Sequence, residues 1–236
     1  MDAVILDVGG VLLVPHFETV TPALEPFGIS LDAECAQRAH YFGIRAMESA
    51  GEDESEARRA YLVGYARAAG VPDGQQGAAL ERMRQAWSRP NIDVWRQHVR
   101  GSIDGLRQLQ ARRLKLGIVS NADGTIEEQL RRGEICQVGE GLGVPVLAII
   151  DSGVVGVSKP AAEIFRHALD PIGVAPERAL YVGDTVRYDV RGARAAGLVP
   201  VHFDPYDLCP EREDHGHIGV LGEVQELIEE RRAKSC

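Results

Sequence analysis

Ala3–Val4–Ile5–Leu6–Asp7–Val8–Gly9–Gly10–Val11 is the stretch from which the fold is read. Four apolar residues without polar alternation predict a strand buried on both faces, as in a parallel sheet covered by helices. In such sheets ligands bind beyond the carboxyl ends of the strands, where the strand order reverses. Asp7 would stand at that point. Gly9 and Gly10 let the backbone turn away and leave room for a ligand to approach. Taken alone, Asp7 reads better as a turn residue capping the strand, and it takes later stretches to overturn that reading.

Working outward, Pro15 and His16 break the apolar pattern and a helical texture begins. Helices are predicted over 32–49, 53–69 and 73–88, each opening on an Asp suited to an N-cap, with Gly28, Gly51, Gly70–Val71–Pro72 and Pro90 as punctuation. No buried strand is expected between about residues 17 and 95. After Ser102 strands and helices alternate. A helix carrying Ile103, Leu106 and Leu109 precedes a strand over 114–119, which ends at Ser120–Asn121. A helix over 127–132 then leads to a strand over 144–150 ending at Asp151–Ser152. A helix over 161–169 precedes a strand over 179–182 ending at Gly183–Asp184. The remainder reads as a helix over 189–196 closed by Gly197, a strand over 199–203, a loop over 205–219 and a helix over 220–231. This alternation implies right-handed βαβ units and a parallel sheet.

The chain has 236 residues, 44% hydrophobic and 26% charged, with 26 Lys plus Arg against 35 Asp plus Glu and a net charge of −9. That balance gives no electrostatic footprint for nucleic acid or an anionic membrane, so neither is an expected partner. No apolar segment is long enough to span a bilayer and no signal peptide is read, which makes the cytoplasm the expected compartment. Cys35, Cys136, Cys209 and Cys236 are scattered, with no CxxC pair and no cysteine near a His at metal-ligand spacing. Reduced thiols are expected, and a zinc site is not.

The core strands end in polar residues on the same edge of the sheet, at Asp7, Ser120–Asn121, Asp151–Ser152 and Gly183–Asp184, with Lys159–Pro160 between the third and fourth of these ends. Any one could be a turn; together they point to one site. Here the chain resembles the haloacid-dehalogenase-like superfamily of hydrolases. The residues carrying the resemblance are Leu6–Asp7–Val8–Gly9–Gly10–Val11–Leu12, Val119–Ser120–Asn121 and Ser158–Lys159–Pro160 with Ile164–Phe165. A fourth motif runs from Val182–Gly183–Asp184–Thr185 through Asp189 into Gly192–Ala193–Arg194–Ala195–Ala196–Gly197.

The resemblance implies a Rossmann-like α/β core over 1–15 and 97–236, with an inserted helical cap domain of the C1 type over 16–96. It implies a Mg2+-dependent phosphohydrolase of a small phosphorylated metabolite, as a monomer or homodimer. Asp7 would be the nucleophile, and Mg2+ would lie between Asp7, the Gly9 carbonyl and Asp184. Ser120 and the Asn121 amide would bind the phosphoryl group, Lys159 would neutralise charge, and Asp189 would orient Lys159 or a metal-bound water. Gly192 and Gly197 are expected to be structural, for close packing and helix termination.

One departure stands out. The superfamily's phosphatases usually carry a second Asp two residues after the nucleophile, as general acid and base, and here that residue is Gly9. Such help is typically worth about 10²–10⁴-fold, so hydrolysis should be slow or directed at good leaving groups. His16 and Asp123 are candidate replacement acids. Arg38, His40, Tyr41, Arg45 and Glu48 are cap residues able to reach a substrate, though a wet helix face carries such residues anyway. The alternative reading is a catalytically weakened domain that binds a phosphorylated ligand or a protein partner. Dehalogenation ranks low, because Asp184 beside Asp7 is repulsive without a cation.

Overall fold

The computed structural model describes residues 1–88, 93–211 and 214–234; Pro90 and Cys236 lie outside the described residues. These divide into two compact units, one drawn from 1–12, 100–205 and 211–236, the other from 13–99 and 206–210. In chain order, β1 (Ala3–Leu6) is followed by β2 (Leu13–Pro15), α1 (Phe17–Leu24), α2 (Ala33–Glu48), α3 (Glu54–Ala68), α4 (Gln76–Trp87) and β3 (Trp95–His98). Next come α5 (Ser102–Ala111), β4 (Lys115–Ser120), α6 (Ile126–Arg132), β5 (Cys136–Val138), β6 (Val144–Val146) and β7 (Ala148–Asp151). Then follow α7 (Ser152–Val155), α8 (Ala162–Ile172), β8 (Ala179–Gly183), α9 (Arg191–Ala195), β9 (Val199–Phe203), β10 (Gly216–Ile218) and α10 (Val224–Lys234).

The first unit is an α/β Rossmann-like domain built on a parallel sheet in the order β10-β9-β8-β1-β4-β7. β1 lies between β4 and β8, with Leu6 level with Ile118 on one side and Val182 on the other. The strand order therefore reverses at β1, and the loops that follow β1, β4 and β8 emerge side by side. All four residues of β1 are buried, which explains its unbroken apolar run. On one face Ala3, Ile5, Val119, Ala179 and Tyr181 pack with Ile164, Phe165, Ala168, Leu169 and Ile172 of α8. Gly117, which interrupts the apolar pattern of β4, is what lets α8 approach, since a Cβ there would lie 2.5 Å from Ile172 Cδ1. Gly192 likewise makes way for the Phe165 ring. Gly197, at φ +83°, ends its helix in the left-handed conformation.

Several expectations need correction. The strand expected over 144–150 is two strands: β6 pairs with β5 in a separate ribbon, and only β7 joins the main sheet beside β4. The loop expected over 205–219 contains β10, the edge strand beside β9. The helix expected from Asp189 starts earlier, with a π-helical turn at Val186–Val190 capped by Thr185.

The second unit holds α1 to α4 and an antiparallel ribbon of β2 with β3. Asp32 and Asp53 cap α2 and α3 through the Cys35 and Glu56 amides, at 2.7 and 2.8 Å. Asp73 does not cap α4; it precedes a turn at Gly74, and Gln75 is the N-cap. The β2–β3 ribbon and α1 are further elements that no expected strand or helix covers. His40 and Tyr41 are buried rather than on a wet face, and His40 Nδ1 lies 3.0 Å from the Tyr61 hydroxyl. Cys35, Cys136 and Cys209 are free thiols. Among the described residues no helix is long and apolar enough to cross a membrane.

Candidate active site

The carboxyl ends of β1, β4 and β8 are where the polar residues gather. Asp7 follows β1 directly, and its amide still donates to the Val182 carbonyl at 2.9 Å, so the sheet ladder fixes its backbone. Its Oδ1 accepts from the Val8 amide at 2.7 Å, and its Oδ2 lies 2.8 Å from Lys159 Nζ. Asp184 follows β8, the neighbour of β1. Carboxylate oxygens of Asp7, Asp184 and Asp189 lie within 4.8 Å of one another. All are buried, as is Lys159 at 3% exposure.

Asp189 is saturated by the protein itself. Its Oδ1 accepts from Lys159 Nζ at 2.7 Å, and its Oδ2 accepts from the Thr185 amide at 3.0 Å and from the Thr185 hydroxyl. It holds Lys159 rather than offering a free face. Asp7 and Asp184 are thus the carboxylates suited to a hard divalent cation, which takes oxygen ligands and retains waters.

Tyr181, expected only as one residue of a buried strand, joins this cluster. Its hydroxyl accepts from Lys159 Nζ at 3.0 Å. It also lies 3.1 Å from the Val119 carbonyl and 3.0 Å from Asp189 Oδ1, and its single hydrogen serves one of them at a time. The available signal was a tyrosine in an otherwise aliphatic buried strand, because a buried hydroxyl needs a partner. Phe165 meets the Tyr181 ring edge-on at a centroid distance of 4.8 Å, so α8 braces it.

Electrostatics follow from burial and charge. Burial pushes the Asp7 carboxyl up; Lys159 pulls it down, Asp189 and Asp184 push it up again, and it stands at about 7. Burial disfavours the charged Lys159, but Asp189 and Asp7 outweigh it and raise the ammonium to about 12. Burial also works against Asp189, yet Lys159 and the hydroxyls of Thr185 and Tyr181 hold it below the usual carboxylate range. The cluster therefore keeps one firm cation, one firm anion and one carboxylate whose charge depends on what binds near it.

Two glycines make the cluster possible. A Cβ on Gly10 would fall 1.9 Å from Asp184 Oδ2, and one on Gly183 would fall 2.2 Å from Asp189 Cγ. The space over Gly10, expected to admit a ligand, is occupied by the Asp184 carboxylate. Gly9 is partly exposed and has no side chain to contribute.

Ser120 is the last residue of β4, buried, and level with Asp151 of β7. Asn121 is tied to the main chain of Lys159: its Nδ2 donates to the Lys159 carbonyl at 3.0 Å, and its Oδ1 accepts from the Lys159 amide at 2.8 Å. Asp151, a polar strand end like the others, is spent on structure. It accepts from the Gly124, Ile126 and Gly153 amides at 2.9, 3.1 and 2.8 Å. Asp123 is exposed and accepts from the Thr125 hydroxyl at 2.6 Å. His16 is the N-cap of α1, its Nδ1 accepting from the Glu18 amide at 3.2 Å. Arg38 donates to the Ala68 carbonyl and Arg45 to the Ser49 hydroxyl, at 3.2 and 2.8 Å.

A family model described as haloacid dehalogenase-like hydrolase matches residues 1–197. Phosphoserine phosphatase from Thermus thermophilus is 40% identical over 119 residues, 49% of this chain and 45% of that protein. Glyceraldehyde 3-phosphate phosphatase from Methanopyrus kandleri is 47% identical over 84 residues, 34% of this chain and 36% of that protein. The chain thus spans less than half the length of both relatives. In fold, it matches the HAD-hydrolase YfnB from Bacillus subtilis, solved bound to magnesium, with a TM-score of 0.58 and 22% identity, covering 96% of this chain and 97% of that one.

Proposed function

We propose that this chain, which belongs to the haloacid dehalogenase-like hydrolase family, is a phosphatase that hydrolyses a small phosphorylated metabolite through an aspartyl phosphate on Asp7 and uses Mg2+, a reading that the phosphatases among its relatives support. The observation that carries this reading is the convergence of Asp7 and Asp184 within 4.8 Å, with Lys159 Nζ 2.8 Å from Asp7. Two carboxylates this close, buried together, suit a divalent cation, and the magnesium-bound fold neighbour supports its identity. When bound between Asp7, the Gly9 carbonyl and Asp184, that cation would act as a Lewis acid on a phosphoryl oxygen. The helical unit is the counterpart of the family's cap domain.

The steps assigned to the chain's own residues are few. An Asp7 oxygen attacks phosphorus in line with the leaving oxygen, and the phosphorus–oxygen bond to the leaving group breaks. Lys159 neutralises charge on Asp7 and the phosphoryl group, held in place by Asp189 and Tyr181. The Ser120 hydroxyl and the Asn121 amide donate to phosphoryl oxygens. The leaving oxygen takes its proton from water, because Gly9 has none to give, and a second water then releases phosphate from Asp7. Good leaving groups, such as acyl or anomeric phosphates, suit this site best.

The test is phosphate release from acetyl phosphate and p-nitrophenyl phosphate with and without Mg2+, beside Asp7→Asn. Metal-dependent turnover abolished in that variant is the expected result. Gly9 also favours a second reading, a weakened domain that binds a phosphorylated ligand; binding of such a ligand without turnover would replace the first reading with this one.

A further inference from the structure

Three histidines meet at the far edge of the sheet, in residues the phosphatase reading does not use. His202 on β9 and His217 on β10 are direct partners in the parallel pairing, and His215 precedes His217 by two residues. His215 lies in the bend just before β10, and the three rings meet. Ring centroids are 5.4 Å apart for His202 with each of the others, and 4.5 Å apart for His215 with His217. Each offers a nitrogen within 4.8 Å of the others.

The hydrogen bonding fixes which nitrogens are available. His202 Nε2 lies 3.0 Å from the backbone carbonyl of Asp184. A carbonyl only accepts, so Nε2 carries the hydrogen and Nδ1 presents a lone pair. That Nδ1 faces His215 Nε2 at 3.4 Å. Two imidazole nitrogens on one tetrahedral zinc ion, at metal–nitrogen bonds of about 2.0–2.1 Å, stand about 3.3 Å apart. Both ring nitrogens of His217 are buried without a hydrogen-bond partner among the described residues, and the Asp204 carboxylate lies 3.8 Å from its Nδ1. Buried polar atoms left unmatched in this way call for a bound group. A ligating histidine ordinarily donates its other nitrogen to a carbonyl or carboxylate, which is where the Asp184 carbonyl and Asp204 stand.

We propose that His202, His215 and His217 form a second metal site, for Zn2+ rather than Mg2+, joined to the carboxylate cluster through the hydrogen bond from His202 to Asp184. Three imidazoles suit zinc and similar transition metals, whereas Mg2+ prefers carboxylate and water oxygens. The His–x–His pair reaches His202 only through the pairing of β9 with β10, so spacing along the chain does not reveal the site.

The test strips the whole chain with a chelator, restores a small excess of Zn2+ in a much larger excess of Mg2+, removes unbound metal and measures retained zinc. One equivalent per chain is expected in the parent and in Asp7→Asn, with affinity at least 100-fold weaker in the double variant His215→Gln, His217→Gln. Retention of Zn2+ by the double variant as tightly as by the parent, or failure of the parent to retain any, overturns the proposal. Zinc-edge X-ray absorption on the parent alone guards against misfolding of the variant: a shell with three imidazole nitrogens is expected, and an oxygen-only shell refutes it. Because Asp7→Asn removes turnover but not this binding, failure here is distinguishable from failure of the phosphatase reading.

Discussion

The Asp184 carboxylate rests directly on the Cα of Gly10, so closely that a methyl group on that residue would lie 1.9 Å from Oδ2. Gly10 also has φ +67°, in the left-handed region. Gly10→Ala therefore meets two penalties at once: about 1–2 kcal/mol for the backbone conformation, and displacement of Asp184 from Asp7. We expect phosphatase activity to fall at least about 100-fold, since misplacement by about 1 Å has that scale of effect. Steady-state kinetics with urea unfolding checks this; a variant with unchanged rate would mean that Asp184 is not needed where it stands.

Gly9 offers the complementary experiment. Gly9→Asp supplies a carboxyl two residues after Asp7, and general acid–base help of this kind is worth about 10²–10⁴-fold. The gain should be large for alkyl phosphates and small for acetyl phosphate, whose leaving group needs no proton. Comparing kcat for the two substrate classes in parent and variant tests the difference. Equal effects on both would remove the argument from leaving-group basicity.

Lys159 is buried between Asp7 and Asp189, at 2.8 and 2.7 Å. Lys159→Met leaves two carboxylates facing each other without a cation, and removing one partner of a buried pair costs about 3–5 kcal/mol. Urea unfolding should show that loss in metal-free protein, with Mg2+ restoring part of it. A loss under about 1 kcal/mol would show the ammonium to be dispensable for stability.

The Asp7 carboxyl stands at about 7, against 3.8 when unperturbed. Between these values the folded chain keeps a proton that the unfolded chain has lost, so metal-free stability falls as pH rises through that window. Asp189 shifts the opposite way, and its contribution is lost only as pH falls below 3.8. The Tm of metal-free protein should therefore decline from pH 5 to pH 7, and the rise in Tm produced by Mg2+ should be larger at pH 7.5 than at pH 5. A Tm increment independent of pH would show that Asp7 is not the group the cation relieves.

The main sheet was legible because its strands are buried on both faces and write themselves as apolar runs ending in polar residues. β1, β4, β8 and β9 follow that rule. β5, β6 and β10 do not: each has three residues, and Pro145 stands in the middle of β6, too little for any period to register. At the site, Asp7, Lys159 and Asp184 could be picked out because chemistry demands those residue types. Tyr181 left only the signal of a lone hydroxyl in an aliphatic strand, while the close approach at Gly10 depends on how the β8 loop packs, which no local pattern carries. Asp151 shows the converse, a polar strand end that looks like its neighbours yet spends both oxygens on the amides of Gly124, Ile126 and Gly153 around the starts of α6 and α7.

The central place of β1 also shapes how the molecule is made. Its partners are Lys115–Ser120 and Ala179–Gly183, more than a hundred residues further along the chain. During synthesis this wholly apolar segment leaves the ribosome long before either neighbour exists. Until the chain has grown past residue 120 it has no sheet neighbour at all, and until residue 183 is made one of its edges stays open, so the nascent protein must carry a sticky strand edge over that interval.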